Sequence, residues 1–282
     1  MTSAEKHLKE EQIEEALEDL QNSIRKDAAN LELRIFLFQL LCVIGEWERA
    51  LNQLRVLKNL KGDAALLAQI FQYVIACEPF RAAVFAGEKA PLVFGQPAEW
   101  VSFMVQALQE DFGDTPDNAQ KLREKALDSA PDVSGRINGE TAFEWMIDAD
   151  SRLGPILEAI FQGKYYWVPI QCIKELTVEA PSDLRDLVWI PTTFIWTNGG
   201  KVAGYIPSRY PGTEMSVNNA LRLARKTDWE ERADDLWCGL GQRMLATDQN
   251  SYPLLEIRKI EFNYGGTDPN GQDPALFAGS SN

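Results

Sequence analysis

Residues 11–20 (EQIEEALEDL) and 45–54 (GEWERALNQL) superpose at an offset of 34 positions, aligning Glu14 with Glu48, Ala16 with Ala50, Leu17 with Leu51 and Leu20 with Leu54. A unit of this length cannot bury its apolar face alone, so neighbouring copies must stack. Local periodicity makes the units helical. Between residues 4 and 24, Leu8, Ile13, Ala16, Leu17, Leu20 and Ile24 keep to one helical stripe with glutamates opposite. Residues 31–44 are apolar nearly all round, which puts that helix between neighbours, and residues 47–60 return to the amphipathic form. Further helices are expected over 63–77, 80–88, 97–111 and 116–129, the last with Thr115 as its cap and Pro116 at its first position. Seven such helices form a short solenoid, and the surface of such a stack suits an extended or helical segment of another protein.

The 34-residue period resembles that of the tetratricopeptide repeat. Gly45 stands at the tight turn, Trp47 follows it, Ala50 falls where two helices approach closely and Leu54 lies one turn later, with Ala16 and Leu20 as the equivalents in the first copy. Two positions depart from the pattern. Phe38 occupies a place that is usually small, and Gly62 stands where a proline often ends the unit.

Residues 131–139 (PDVSGRING) form a polar, glycine-containing connector, after which the periodicity changes. Residues 165–170, 173–178, 188–196, 201–206, 242–246 and 254–262 are short runs of aromatic and branched side chains broken by Gly, Pro and Asn, and these read as strands. Asn198-Gly199-Gly200 between two of them is a hairpin signal, since positive φ costs Asn and Gly little. Residues 221–232 supply a helix to pack on the sheet. The expected architecture is α+β and multidomain: a tetratricopeptide-like helical repeat over 1–135, a mainly β domain, barrel-like or built on a bent sheet, over 136–264, and a disordered tail over 265–282.

Composition narrows the function. The chain has 28 basic and 42 acidic residues in 282 and a net charge of −14, with −11 falling in residues 1–150 and −3 in the remainder. That average field repels polyanions, which argues against nucleic acid and against an anionic membrane surface as partners. No apolar run approaches membrane-spanning length, and the charged residues 1–15 are unlike a signal peptide, so the expected location is cytoplasmic. The single histidine, His7, lies in a polar stretch, which removes imidazole-dependent nucleophile systems and the common histidine-rich metal sites. Cys42, Cys77, Cys172 and Cys238 show no C-x-x-C spacing and are expected reduced and buried. No phosphate loop or dinucleotide fingerprint occurs, so no cofactor is expected.

Three groups of residues remain. Asp148, Asp150 and Arg152 alternate, so on a strand they share one face about 7 Å apart; the arginine competes with a cation, and an ion-pair network is the favoured reading over an acid–base pair. Tyr165, Tyr166 and Trp167 put rings on both faces of one strand and read as core. Arg209 and Tyr210, followed by Pro211-Gly212, read as a loop that carries a protein contact.

The ordered segments 148–169 (DADSRLGPILEAIFQGKYYWVP), 180–191 (APSDLRDLVWIP), 197–200 (TNGG), 207–214 (PSRYPGTE), 223–229 (LARKTDW), 241–248 (GQRMLATD) and 252–258 (YPLLEIR) resemble the ImpE family, also called SciE-type or TagJ, accessory components of bacterial type VI secretion systems. The resemblance implies a non-enzymatic adaptor that engages the small subunit of the contractile sheath through an exposed helical segment and connects with the Clp-type AAA+ ATPase that recycles contracted sheath. The rival expectation is a hydrolase or transferase working through Asp148 and Asp150. A third, a co-chaperone clamp for C-terminal carboxylates, needs a basic groove that the acidic first half does not provide. The repeat register itself is testable: Ala50→Arg forces a long cation into a close helix approach, and its melting temperature is expected to fall by several degrees or more. A wild-type melting curve for that variant shows the register to be wrong.

Overall fold

The computed structural model describes residues 2–59, 62–96, 98–111, 116–233 and 235–263; the expected disorder of 265–282 and the expected Thr115 cap lie outside them. Helices α1 (Ser3–Lys9), α2 (Ile13–Lys26), α3 (Leu31–Val43), α4 (Trp47–Lys58) and α5 (Asp63–Phe85) run first. Strand β1 (Leu92–Val93) follows, then α6 (Glu99–Glu110) and α7 (Pro116–Ser129). The sheet-rich region holds β2 (Gly135–Ile137), β3 (Thr141–Phe143), β4 (Met146–Asp148), β5 (Ile156–Phe161), β6 (Lys164–Pro169), β7 (Ile173–Val178), β8 (Trp189–Trp196) and β9 (Lys201–Pro207). It ends with α8 (Asn219–Arg222), β10 (Thr227–Ala233), β11 (Leu236–Gly241), β12 (Met244–Thr247), β13 (Ser251–Pro253) and β14 (Lys259–Phe262).

The helical boundaries differ from the periodic reading at two points. The first stripe is cut into α1 and α2 by a turn in which Glu11 takes φ +61° and Gln12 N–H reaches His7 O at 2.8 Å; folding α1 back in this way buries Ala4 and Leu8. Conversely, α5 continues straight through Pro79, where two helices were expected. An interior proline removes a hydrogen bond and costs about 3 kcal/mol, against which stands the burial of the apolar Val84 and Phe85 beyond it. Residues 227–233 form a strand, not the end of a helix: β10 pairs with β11 from Thr227↔Gly241 to Ala233↔Leu236.

Nine strands make one sheet in the order β1-β6-β5-β9-β8-β7-β14-β2-β3. Its two ends, β1 and β3, do not meet, so the sheet is open and does not close into a barrel. All its ladders are antiparallel except β1 on β6. Pairs β10-β11 and the trio β13-β12-β4 form two smaller sheets. The β8–β9 hairpin turns at Asn198, whose Oδ1 accepts Gly200 N–H at 2.9 Å while Gly199 takes φ +82°.

Period-two alternation divides the large sheet between two cores. On β5, Ile156 and Ile160 face the helices, whereas Leu157, Ala159 and Phe161 face a second apolar layer with Phe194 and Trp196. The helical face of the sheet also carries Glu158, wholly buried. Arg81 of α5 grips it with two guanidinium bonds, Nε to Oε1 at 2.6 Å and Nη2 to Oε2 at 3.0 Å. Tyr165 donates its hydroxyl to Glu158 Oε1 at 2.6 Å and takes a hydrogen bond from Trp167 Nε1 at 2.9 Å. From the other side Arg243 pairs with both Glu158 and Asp148 and donates Nε–H to Pro207 O at 2.9 Å. One turn back on α5, Glu78 accepts Trp189 Nε1–H at 2.6 Å. The helical layer is thus tied to the sheet by ionised groups as well as by apolar packing.

Burial opposes the charge on Glu158, but the guanidiniums of Arg81 and Arg243 outweigh it and hold its carboxyl down to about 2. Burial wins at Asp148, which is pushed up to about 6 against the attraction of Arg243. The two contributions to stability run in opposite directions. That of Glu158 is present above its ordinary 4.5 and is lost as pH falls towards 2. That of Asp148 is present below its ordinary 3.8 and is lost as pH rises through 6. Asp148→Asn removes only the second. Unfolding measured from pH 4 to pH 7 is therefore expected to show wild type losing about 2 kcal/mol relative to Asp148→Asn over that window; parallel profiles rule out a raised Asp148.

Candidate docking surface

Helix α5 has apolar residues on all sides, a composition suited to a helix covered on every face. Its inner side is covered. Phe71 lies 5.6 Å from Phe38, 5.4 Å from Tyr205 and 6.1 Å from Trp189 by ring centroid, with the Arg185 guanidinium 5.0 Å above it. Ala64, Ala68, Val74 and Ile75 are buried beside it. The outer side is open: Leu66, Ile70 and Tyr73 are 58%, 38% and 53% exposed. Their spacing of i, i+4 and i+7 makes one continuous stripe of the kind that receives an amphipathic helix. At its far end the stripe meets the β5–β6 turn, where a Cβ built on Gly163 would lie 3.6 Å from Tyr73. The last turn of α4, leading into α5, carries the exposed cations Arg55 and Lys58, Lys164 follows Gly163, and Asp63 opens the helix.

The inner surface of the helical stack, where a repeat array offers its groove, is filled from within the chain. Gln39 of α3 donates to Asp183 Oδ1 at 3.2 Å and accepts Leu184 N–H at 2.9 Å, holding the 3₁₀ turn Leu184–Leu187 against α3. The Trp47 ring lies 5.7 Å from that of Trp189 of β8, tilted by 40°. Ala16, Leu20, Ala50 and Leu54 are buried between helices, and Gly45 makes its turn at φ +75°. Phe38, at the position usually small, fills the space under Phe71.

Asp148, Asp150 and Arg152 do not share one strand face. Asp148 ends β4, and the other two lie in the turn that follows, which is held by Leu153 N–H on Asp150 O at 2.9 Å. Arg152 grips Asp150 through Nε–H to Oδ1 at 2.8 Å and Nη2–H to Oδ2 at 2.5 Å, while Gly239 N–H donates to the same Oδ2 at 2.8 Å. Asp148 is taken by Arg243 instead, with Tyr210 hydroxyl on its Oδ1 at 3.1 Å. Both carboxylates are buried and fully engaged, an arrangement for orientation and ion pairing. No group of three or more His, Cys, Asp or Glu able to hold a metal occurs among the described residues.

Arg209 and Tyr210 are buried, not displayed on a loop. The Arg209 guanidinium donates to Val43 O at 2.8 Å, at the carbonyl end of α3, and to Arg222 O, which attracts a cation to the helix C-terminus; burial lowers its basicity to about 10. The Tyr210 ring fills the space over Gly239, where a Cβ would sit 2.2 Å from Cδ2. Burial also pushes the Cys77 thiol up to about 12 and Cys42 well up, so neither is poised as a nucleophile. The stripe on α5 is the feature that periodicity alone passed over. Its signal was present in residues 63–77 as a helix apolar on every face.

The chain matches the ImpE protein family model over residues 140–261 and the tetratricopeptide repeat model over residues 7–70. It is 45% identical over 259 residues to the type VI secretion system accessory component TagJ of Pseudomonas aeruginosa, covering 92% of this chain and 90% of that protein. The crystal structure of protein VPA1032 from Vibrio parahaemolyticus superposes with a TM-score of 0.84 at 25% identity, over 93% of this chain and 98% of that one. The helical repeat, the open sheet and these likenesses agree: the chain belongs to the ImpE/TagJ family of type VI secretion accessory components.

Proposed function

We propose that this protein is a non-enzymatic adaptor of the type VI machine that binds the small sheath subunit through an exposed helix of that subunit and links the sheath to its Clp-type AAA+ ATPase in the cytoplasm. The observation that carries this reading is the open stripe Leu66–Ile70–Tyr73. Stacked repeats ordinarily cover such a face with the next helix; here α6 pairs with α7 instead. A partner helix with apolar residues at i, i+3 or i+4 and i+7 supplies the missing neighbour. Docking is expected to be of moderate affinity, because a short segment loses conformational entropy when it orders.

Burying a leucine or tyrosine side chain contributes about 1.5–3 kcal/mol. A Leu66→Asp/Tyr73→Asp double variant is therefore expected to bind the small sheath subunit at least tenfold more weakly by calorimetry, with its melting temperature within a few degrees of wild type because both positions are exposed. A sheath subunit lacking the exposed helix is expected not to bind. Equal binding of the shortened and full subunits, or unchanged affinity of the double variant, defeats this docking mode.

A further inference from the structure

Strand β10 is paired with β11 alone, in a sheet of two strands. Gln242 N–H bonds Lys226 O at 2.9 Å, and together with the register Thr227↔Gly241 this fixes the alternation along the strand. Lys226, Asp228 and Glu230 turn their backbone groups towards β11, so Thr227, Trp229 and Glu231 turn theirs outward. Among the described residues nothing hydrogen-bonds to the outward N–H and C=O groups of these three. An open edge of this kind accepts one more strand, because a strand carries matching donors and acceptors at the same spacing.

A cavity of about 380 Å³ is lined by Thr227 and Trp229 of this strand together with Gln242, Met244 of β12, Pro253 of β13 and Glu256. Trp229, Met244 and Pro253 give it an apolar wall, and the Trp229 ring is 39% exposed while resting 5.6 Å from the buried ring of Tyr210. Charged side chains ordinarily guard an edge strand. Here most of them cancel: Lys226 pairs with Asp228 at 2.7 Å and Arg232 with Glu230 at 2.9 Å. Arg225, also on the cavity wall, is held by Glu11 at 3.3 Å and by Leu8 O at 2.8 Å. Glu231 and Glu256 have no ion-pair partner among the described residues. Glu231 is two residues from Trp229 and shares its face of the strand, and Glu256 lines the cavity. The uncancelled charge beside Trp229 is thus acidic, which favours a basic strand and opposes pairing with β10 of a second copy, since that strand brings the same carboxylates.

We infer that an extended basic segment of another protein adds to the open edge of β10 as a further strand. One large apolar side chain of that segment enters the cavity against Trp229, and a lysine or arginine two residues to either side meets Glu231 and Glu256. Alternate residues of a strand share a face, so the pattern recognised is basic-x-apolar-x-basic. The site is separate from the α5 stripe and goes beyond the adaptor reading, on which it does not depend.

The test titrates the full chain with the end-blocked peptide TKTFTKT and follows the Trp229 indole and Thr227 amide signals by NMR. Saturable binding is expected, weakening as salt rises. Three control peptides are each expected to bind about tenfold more weakly or worse: one with both lysines replaced by glutamate, one with the phenylalanine replaced by alanine, and one methylated on alternate backbone nitrogens. Trp229→Ala is expected to weaken binding as much, read through the Thr227 amide. A Glu231→Gln/Glu256→Gln variant, changed only at exposed positions, is expected to melt as wild type does and to lose most of the salt dependence. The absence of a saturable shift, or equal binding of the methylated peptide, overturns the inference. So does a chain that sediments as a dimer and becomes a monomer on Trp229→Ala, which assigns the edge to a second copy. Failure of sheath docking at α5 leaves the inference standing.

Discussion

The Glu158 carboxylate fixes where the helical layer sits on the sheet. An ionised carboxylate with no exposed surface costs several kcal/mol unless it is paired with good geometry. Here it has two guanidiniums, from Arg81 on α5, 77 residues earlier, and from Arg243, 85 residues later, together with the Tyr165 hydroxyl. Apolar contacts such as Phe71 on Trp189 tolerate sliding, since one ring surface resembles another. Ion pairs do not. Moving α5 by one turn, about 5.4 Å, separates Arg81 from Glu158 and Glu78 from Trp189 at once, leaving buried charges uncompensated. The helix is therefore held in one register, and the direction of its outer face follows from that.

That placement explains why the repeat stack stops where it does. The sheet takes over the role of the next repeat on the inner side of α5, through Tyr165, Trp167, Trp189 and Tyr205, and the chain then leaves through β1, which joins the same sheet beside β6. Nothing in the fold needs α5 to be apolar on its outer side. Leu66, Ile70 and Tyr73 are left largely exposed on that side.

What the sequence made legible was short-range. The helical stripes, the 34-residue register, the hairpin at Asn198 and the strands of alternating aromatic and branched residues all follow from neighbours within a few positions. Strand β5 (ILEAIF) was not recognised, because both its faces are covered and the alternation that marks a half-exposed strand is missing. The opposite failure occurred at β10 (TDWEERA), which is mostly exposed and rich in charge and so carries no apolar alternation. The break expected between residues 77 and 80 is bridged in α5, which runs through Pro79 because it is held by tertiary packing that no local pattern shows. The pairing of Asp148 with Arg243 spans 95 residues and had no local signal, while Arg209 and Tyr210, beside Pro211 and Gly212, had the composition of a surface loop and are buried under α3 and β11.

The acidic excess and the apolar surfaces belong together physically. A chain that exposes a stripe such as Leu66–Ile70–Tyr73 risks binding itself. A net charge of −14 opposes that association, since two copies approaching closely repel across their glutamate-bearing turns. The repulsion is also cheap to place: Glu14, Glu15 and Glu48 stand in the first turns of α2 and α4, where carboxylates complement the helix dipoles. Local helix stability and charge repulsion between glutamate-bearing turns are thus served by the same side chains.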